Sequence, residues 1–374
     1  MRRSRLSLIA VLSASLLFPS VAKGTAAEKD DSPRFKVGIV TRTFRLDKPY
    51  NWRGAKTHGL MTTVWYPADA AAVERPQSIG GPGAPLFLAG HAAPDARVAA
   101  SPAEFPLIVL SHGTGGSAFQ MAWLGTVLAS HGYIAAAVNH PGNNAYDGYT
   151  PQGFLTWWER ARDLSTVIDK MLADSMFGAR IDSGRIGAAG FSLGGYTMIE
   201  MAGGITDPAA FKAFCNSPLA DAICKSPPEF PDLVRQYDRL TKTDPVFEHA
   251  LAQASDSYRD SRVRAVFAMA PALGPAFTAA SLDKISIPVE IVAGAADEIV
   301  PIASSAKCFA SHIPGARLVI FPGGVGHYVF LDMCTDQARK SLPILCTDAP
   351  GVERKTIHAK ASGLALSFFA ENLK

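Results

Sequence analysis

Charge is scarce in this 374-residue chain: 18% of its residues are Asp, Glu, Lys or Arg, and the formal net charge is +3. So small an excess, with no basic stripe and no aromatic-rich basic segment, argues against a nucleic-acid partner. Past the first residues no apolar run is long enough to cross about 30 Å of hydrocarbon, so no membrane span is expected. The five cysteines and nine histidines show no zinc-ligand spacing, and nothing implies a metal or a cofactor. No internal repeat is visible, and no feature points to a particular oligomeric state. Against these absences, 48% of the residues are hydrophobic, which sets aside a disordered chain. The length suits one large α/β domain or two modest ones.

The little charge there is sits unevenly. Met1-Arg2-Arg3-Ser4-Arg5 is followed by 13 mostly apolar residues, 6–18, and then by Pro19, Ser20, Val21, Ala22, Lys23 and Gly24. A basic start, a short apolar stretch and a small-residue exit read as a secretory signal peptide over 1–22, with a cut between Ala22 and Ala27. Removing Arg2, Arg3 and Arg5 takes Lys+Arg from 36 to 33, against 33 acidic residues, so residues 23–374 are formally neutral. Export to the periplasm or the exterior permits disulfides. The close pairs Cys215/Cys224 and Cys334/Cys346 are the economical bridges, leaving Cys308 free, with five separate thiols as the alternative.

Hydrophobic patterning predicts an alternation. Short apolar runs at 107–110, 133–138, 185–190, 263–270, 289–293 and 317–321 read as strands buried on both faces. Helical patterns cover 118–130, 155–173, 193–202, 303–312 and 352–373. This order predicts a mostly parallel central sheet flanked by helices in a single domain. Residues 37–43 and 61–66 are expected as antiparallel edge strands, and 68–106, rich in Ala, Pro and Gly, as irregular surface chain. Residues 204–262 exceed an ordinary connection and read as an insertion, either a lid or remote decoration.

The chemistry centres on Gly190-Phe191-Ser192-Leu193-Gly194, a Gly-x-Ser-x-Gly run between a predicted strand and a predicted helix. Such a turn lifts a serine hydroxyl above the carboxyl edge of a sheet. Serine is a weak nucleophile and needs a base oriented by a carboxylate, here in the order Ser, acid, His. Of His249, His312, His327 and His358, His327 alone lies in a glycine-rich loop directly after a strand, and it is the expected base. His312 and His358 fall in helical stretches and read as surface residues; His249 belongs to the insertion. Asp297, just past the 289–293 strand, is the expected acid, the competing reading being a helix N-cap ahead of Pro301. For the oxyanion, the loop Ser111-His112-Gly113-Thr114-Gly115-Gly116 offers the Thr114 N–H, with Gly113 and Gly115 as alternatives, and Leu193 offers the second N–H. His112 reads as a brace for that loop.

These segments together resemble the α/β-hydrolase superfamily from about Phe105 to the C-terminus. Ser-His-Gly-Thr-Gly-Gly, Gly-Phe-Ser-Leu-Gly-Gly and Gly-His-Tyr-Val-Phe are similar to bacterial dienelactone-hydrolase-like esterases and platelet-activating factor acetylhydrolases. Ser192 departs from the cysteine nucleophile of true dienelactone hydrolases. Ala122-Trp123-Leu124-Gly125 with Leu128-Ala-Ser-His-Gly132 is similar to secreted cutinases and polyester hydrolases, whose methionine after the nucleophile is Leu193 here. The resemblance implies Ser192, Asp297 and His327 as a triad in an exported carboxylesterase acting through an acyl-enzyme on a small-molecule or polymeric ester. An amidase or peptidase with the same triad and a catalytically dead binding protein are the competing readings. Trp157-Trp158, residues 271–277 and the insertion are the expected pocket walls.

Overall fold

The structure is a computed structural model that describes residues 34–46, 48–81 and 83–374. The signal-peptide reading of 1–22 and its cut before Ala27 lie outside the described residues. The strands, in chain order, are β1 (Lys36–Phe44), β2 (Leu60–Ala68), β3 (Arg75–Gly81), β4 (Ala84–Pro94), β5 (Phe105–Ser111) and β6 (Ile134–Val138). They continue with a two-residue hairpin, β7 (Asn143–Asn144) and β8 (Gly148–Tyr149), then β9 (Ile181–Phe191), β10 (Val263–Met269), β11 (Val289–Gly294), β12 (Arg317–Phe321) and β13 (Met333–Cys334). All but the hairpin join one sheet in the order β12-β11-β10-β9-β5-β6-β2-β1-β4-β13, with β3 on β4.

From β12 to β6 every pairing is parallel, as the alternating pattern predicts. These strands bury both faces because each face is roofed by helices. Ala122–Ser130 and Arg354–Asn372 cover one face. Glu159–Leu172, Leu193–Ala202 and Ala306–His312 cover the other. Parallel strands send all their carboxyl ends to one edge. The loops after β5, β9, β11 and β12 therefore converge, and these are the loops that carry the predicted site.

Three expectations need correction. Residues 68–106 are not irregular throughout: 75–94 fold into the β3–β4 hairpin, and β4 pairs with β1 on one side and β13 on the other. Ala, Gly and Pro have low strand propensity, so this edge is created by pairing and by burying alternate residues such as Phe87 and Ala89. It follows that β1 and β2 are interior strands rather than edges. Likewise the pattern over 155–173 is broken at 156–158, giving Pro151–Leu155 and Glu159–Leu172.

The insertion forms Pro208–Cys215, Leu233–Thr243 and Pro245–Ala252, with a short 3-10 turn at Ala222–Cys224. It clips onto the body through a small apolar cluster in which Leu233, Leu240 and Phe247 pack on Phe154 and Leu155. The two predicted disulfides, Cys215–Cys224 and Cys334–Cys346, are formed, and Cys308 is the free thiol among the described residues. Among the described residues no helix is long and apolar enough to cross a membrane, and no cluster of His, Cys, Asp and Glu could hold a metal ion.

Candidate active site

Ser192 follows the last residue of β9 and precedes the helix Leu193–Ala202. Its backbone is at φ +56°, a left-handed conformation that costs a non-glycine residue about 1–3 kcal/mol. Three hydrogen bonds hold it there: Ser192 N–H donates to the Met269 carbonyl (2.8 Å), and the N–H groups of Tyr196 (3.0 Å) and Ala272 (3.1 Å) donate to the Ser192 carbonyl. The flanking glycines are required by close approach. A Cβ on Gly190 would collide with the backbone of Gly194, and one on Gly194 with the Ser111 carbonyl.

The hydroxyl so presented meets His327. His327 Nε2 lies 3.0 Å from Ser192 Oγ, and its Nδ1 lies 2.7 Å from Asp297 Oδ2. Asp297's other oxygen accepts the N–H groups of Ile299 (3.1 Å) and Val300 (2.7 Å). No helix starts at Asp297, so the N-cap reading is corrected to a cap on a turn: one oxygen holds that turn, and the other faces the imidazole. Fixing both oxygens leaves the carboxylate no freedom to rotate away. His327 is braced from below. Phe191 packs on its ring at 4.8 Å, and His358 Nε2–H donates to the Val329 carbonyl (2.8 Å) in the same turn.

His358 is therefore not a surface residue. It is buried, stacks on Trp123 at 4.2 Å, and burial pulls its pKa down to about 4. A helical residue can face the core as readily as solvent, and its neighbours Ile357 and Ala361 are core residues. His249 is exposed and His312 pairs with Asp283 at 3.5 Å, so neither reaches the cleft.

The loop after β5 passes beside the nucleophile: a Cβ on Gly113 would lie 3.3 Å from the Ser192 Cβ. The Gly115 N–H is committed to Asn143 Oδ1 at 2.7 Å, which removes it as an oxyanion donor. The N–H groups of Thr114 and Leu193 donate to no described residue. His112 is the expected brace, its Nδ1–H donating to the Gly113 carbonyl (2.7 Å) and its Nε2 accepting the His140 N–H (3.3 Å).

Behind this loop lies a buried polar network that residue patterns did not reveal. Arg53 grips Asp163 with Nη2 at 2.8 and 2.7 Å, His140 Nδ1–H donates to Asp163 at 2.7 Å, and Ser111 Oγ lies 2.9 Å from His140 Nε2. Arg160 donates to the His112 carbonyl and, at 3.3 Å, to Ser111 Oγ. Burial first, then the Arg160 charge, hold the His140 and His112 pKa values well below the ordinary range, so both rings are neutral. The only sequence signal was Glu159, Arg160 and Asp163 crowding the start of an amphipathic helix whose inner face should be apolar.

Also unforeseen are Glu229, from the insertion, and Tyr149, from the β7–β8 hairpin. Both lie against Gly115, and Tyr149 Oη donates to its carbonyl at 2.9 Å. Trp158, expected as a pocket wall, is instead buried with its Nε1–H donating to the Ala250 carbonyl (3.1 Å). Trp157 packs between Tyr196 and Phe211, fastening the insertion.

Comparison with known proteins agrees with this architecture. Cutinase est1 of Thermobifida alba is 34% identical over 97 residues, covering 25% of this chain and 29% of that protein. Lipase 1 of Moraxella sp. is 36% identical over 80 residues, covering 21% of this chain and 22% of that protein. The chain thus matches less than a third of the length of these curated relatives. A ferulic acid esterase from Streptomyces cinnamoneus superposes over 91% of both chains with a TM-score of 0.61 at 21% identity, a likeness of fold. The sequence model described as Alpha/beta hydrolase family matches residues 108–339, more than half of the chain. The chain belongs to the alpha/beta hydrolase family.

Proposed function

We propose that this protein is an exported serine esterase in which Ser192 is the nucleophile, His327 the general base and Asp297 the group that orients it. The observation that carries the reading is the unbroken relay from Ser192 Oγ to His327 to Asp297, at 3.0 and 2.7 Å, starting from a strained strand-to-helix turn. In the proposed reaction, His327 Nε2 takes the Ser192 proton as Oγ attacks the ester carbonyl. Asp297 keeps the Nδ1–H tautomer and steadies the imidazolium. The Thr114 and Leu193 N–H groups, which donate to no described residue, receive the oxyanion. His327 then gives its proton to the departing alcohol, and a water activated the same way releases the acid from Ser192. The names of the relatives, cutinase and lipase, point toward esters and make a polymeric ester the second substrate reading.

Export is supported by the two disulfides, which persist in oxidising compartments. The insertion, 204–262, is proposed as a lid or wall beside the site, since Glu229 reaches the loop after β5. The test is hydrolysis of a short-chain nitrophenyl ester. Ser192→Ala is expected to lower kcat by about 10⁶ and to abolish fluorophosphonate labelling. Retention of more than about a tenth of wild-type activity refutes the assignment. Extending the assay to longer acyl chains and a polyester film reads out the substrate class.

A further inference from the structure

We propose that Glu229 is a specificity-determining residue that makes this site prefer esters carrying a positively charged group close to the scissile bond. The proposal rests on the esterase reading and deepens it.

Glu229 stands on the insertion, in a turn closed by the Phe230 N–H to the Pro227 carbonyl at 2.9 Å. Phe230 anchors this turn on Phe154 at 5.2 Å, and Phe154 in turn packs on Tyr149 at 5.1 Å. The side chain then leans over the loop after β5. A Cβ on Gly115 would sit 3.0 Å from Glu229 Cγ and 3.1 Å from Tyr149 Oη. Gly115 is the neighbour of Thr114, whose N–H faces the developing oxyanion. The carboxyl is close enough to His327, Tyr149 and Tyr328 for its charge to act on all three.

No described Lys, Arg or His forms an ion pair with Glu229, and no described side chain hydrogen-bonds to it. Burial pushes its pKa up, so the ionised form is held against a desolvation cost. A lone carboxylate beside the oxyanion site also opposes the negative charge that forms there. For a neutral ester, both effects work against the transition state. A cation on the substrate relieves both at once, pairing with Glu229 while sparing the oxyanion its repulsion. Tyr149 and Tyr328 both lie within range of the same carboxyl's charge, and an aromatic ring near a bound ammonium group adds attraction. An anionic ester would meet repulsion instead, which is how a site rejects a wrong partner.

The test uses two esters of one shape: butyrylcholine and 3,3-dimethylbutyl butyrate, which differ in a single charge. In the wild type, kcat/KM is expected to favour butyrylcholine by about tenfold or more, the scale of one desolvated cation contact. In Glu229→Gln the ratio should fall to within about threefold of one. Because the ratio is read within one enzyme, a general loss of activity cancels. A wild-type ratio near one, or a ratio unchanged by Glu229→Gln, overturns the proposal. Calorimetric binding of choline against 3,3-dimethylbutanol separates the two readings. If neither these esters nor a short-chain nitrophenyl ester is cleaved, the esterase reading fails, while choline preference lost in Glu229→Gln still upholds the cation site and equal binding of both alcohols overturns it.

Discussion

Among the described residues, two serines lie within hydrogen-bond distance of a histidine that is held by an aspartate. Ser192–His327–Asp297 measures 3.0 and 2.7 Å, and Ser111–His140–Asp163 measures 2.9 and 2.7 Å. Distance does not separate them; surroundings do. Ser192 is 7% exposed on a strained turn beside unengaged N–H groups, whereas Ser111 is wholly buried and also takes the Arg160 guanidinium. The first can meet a substrate, and the second ties the loop to the core. Matched substitutions should separate the two roles. Asp297→Asn is expected to lower kcat by about 10⁴ through the wrong imidazole tautomer, with the urea midpoint little changed. Asp163→Asn removes the carboxylate from a buried Arg53 and should cost about 3–5 kcal/mol in a urea titration. The first constellation was legible in the sequence as a grouping of residues because chain order and loop position singled out His327. Nothing comparable marked Asp163, whose partners lie 110 and 23 positions away.

At the scale of the element, the helix Leu193–Ala202 was readable to the residue, since Ser192 and Gly203 punctuate it. What the pattern hid is that all ten residues are buried, including Glu200. Its carboxyl accepts Tyr196 Oη–H and the Thr206 hydroxyl, each at 2.7 Å, and burial raises its pKa to about 8. In the unfolded chain this group ionises near the ordinary carboxylate value. Its contribution to stability is therefore full below about pH 4.5 and is lost progressively as pH rises toward 8. Between those limits the wild type should lose stability relative to Glu200→Gln by up to about 1.4 kcal/mol per pH unit, measured by denaturant unfolding at several pH values. A slope of opposite sign would mean the folded state holds Glu200 ionised. By contrast, β3 and β4 were illegible because their Ala, Gly and Pro residues have no strand preference of their own. They pair with each other as a hairpin, and only β4 is tied into the sheet, by β1 and β13, which no local window contains.

Across the whole molecule, fold class followed from the alternation of apolar runs, but strand order did not. β9 lies between β5 and β10, and β1 between β2 and β4, contacts that bring together distant parts of the chain. The insertion's length was visible, while its reach to Gly115 depends on packing that begins at Phe154. The cysteine pairing was legible because short separations, 9 and 12 residues, make the two loops easy to close. Replacing both Cys334 and Cys346 by Ala is expected to cost about 3 kcal/mol, as for any loop of that size, seen as a lowered thermal midpoint.

The helix Arg354–Asn372 carries His358, whose bond to the Val329 carbonyl and stack on Trp123 seat the turn of His327. The consequence is one of timing. During synthesis Ser192 leaves the ribosome more than 150 residues before this helix is complete. Until residues 354–372 are made, the turn bearing His327 has no floor beneath it, so Ser192 is in the chain early and the seat of its partner His327 is completed last. A premature stop before this helix would strip the His358 bond and the Trp123 stack from beneath the turn of His327, leaving Asp297 and Phe191 as contacts on its ring.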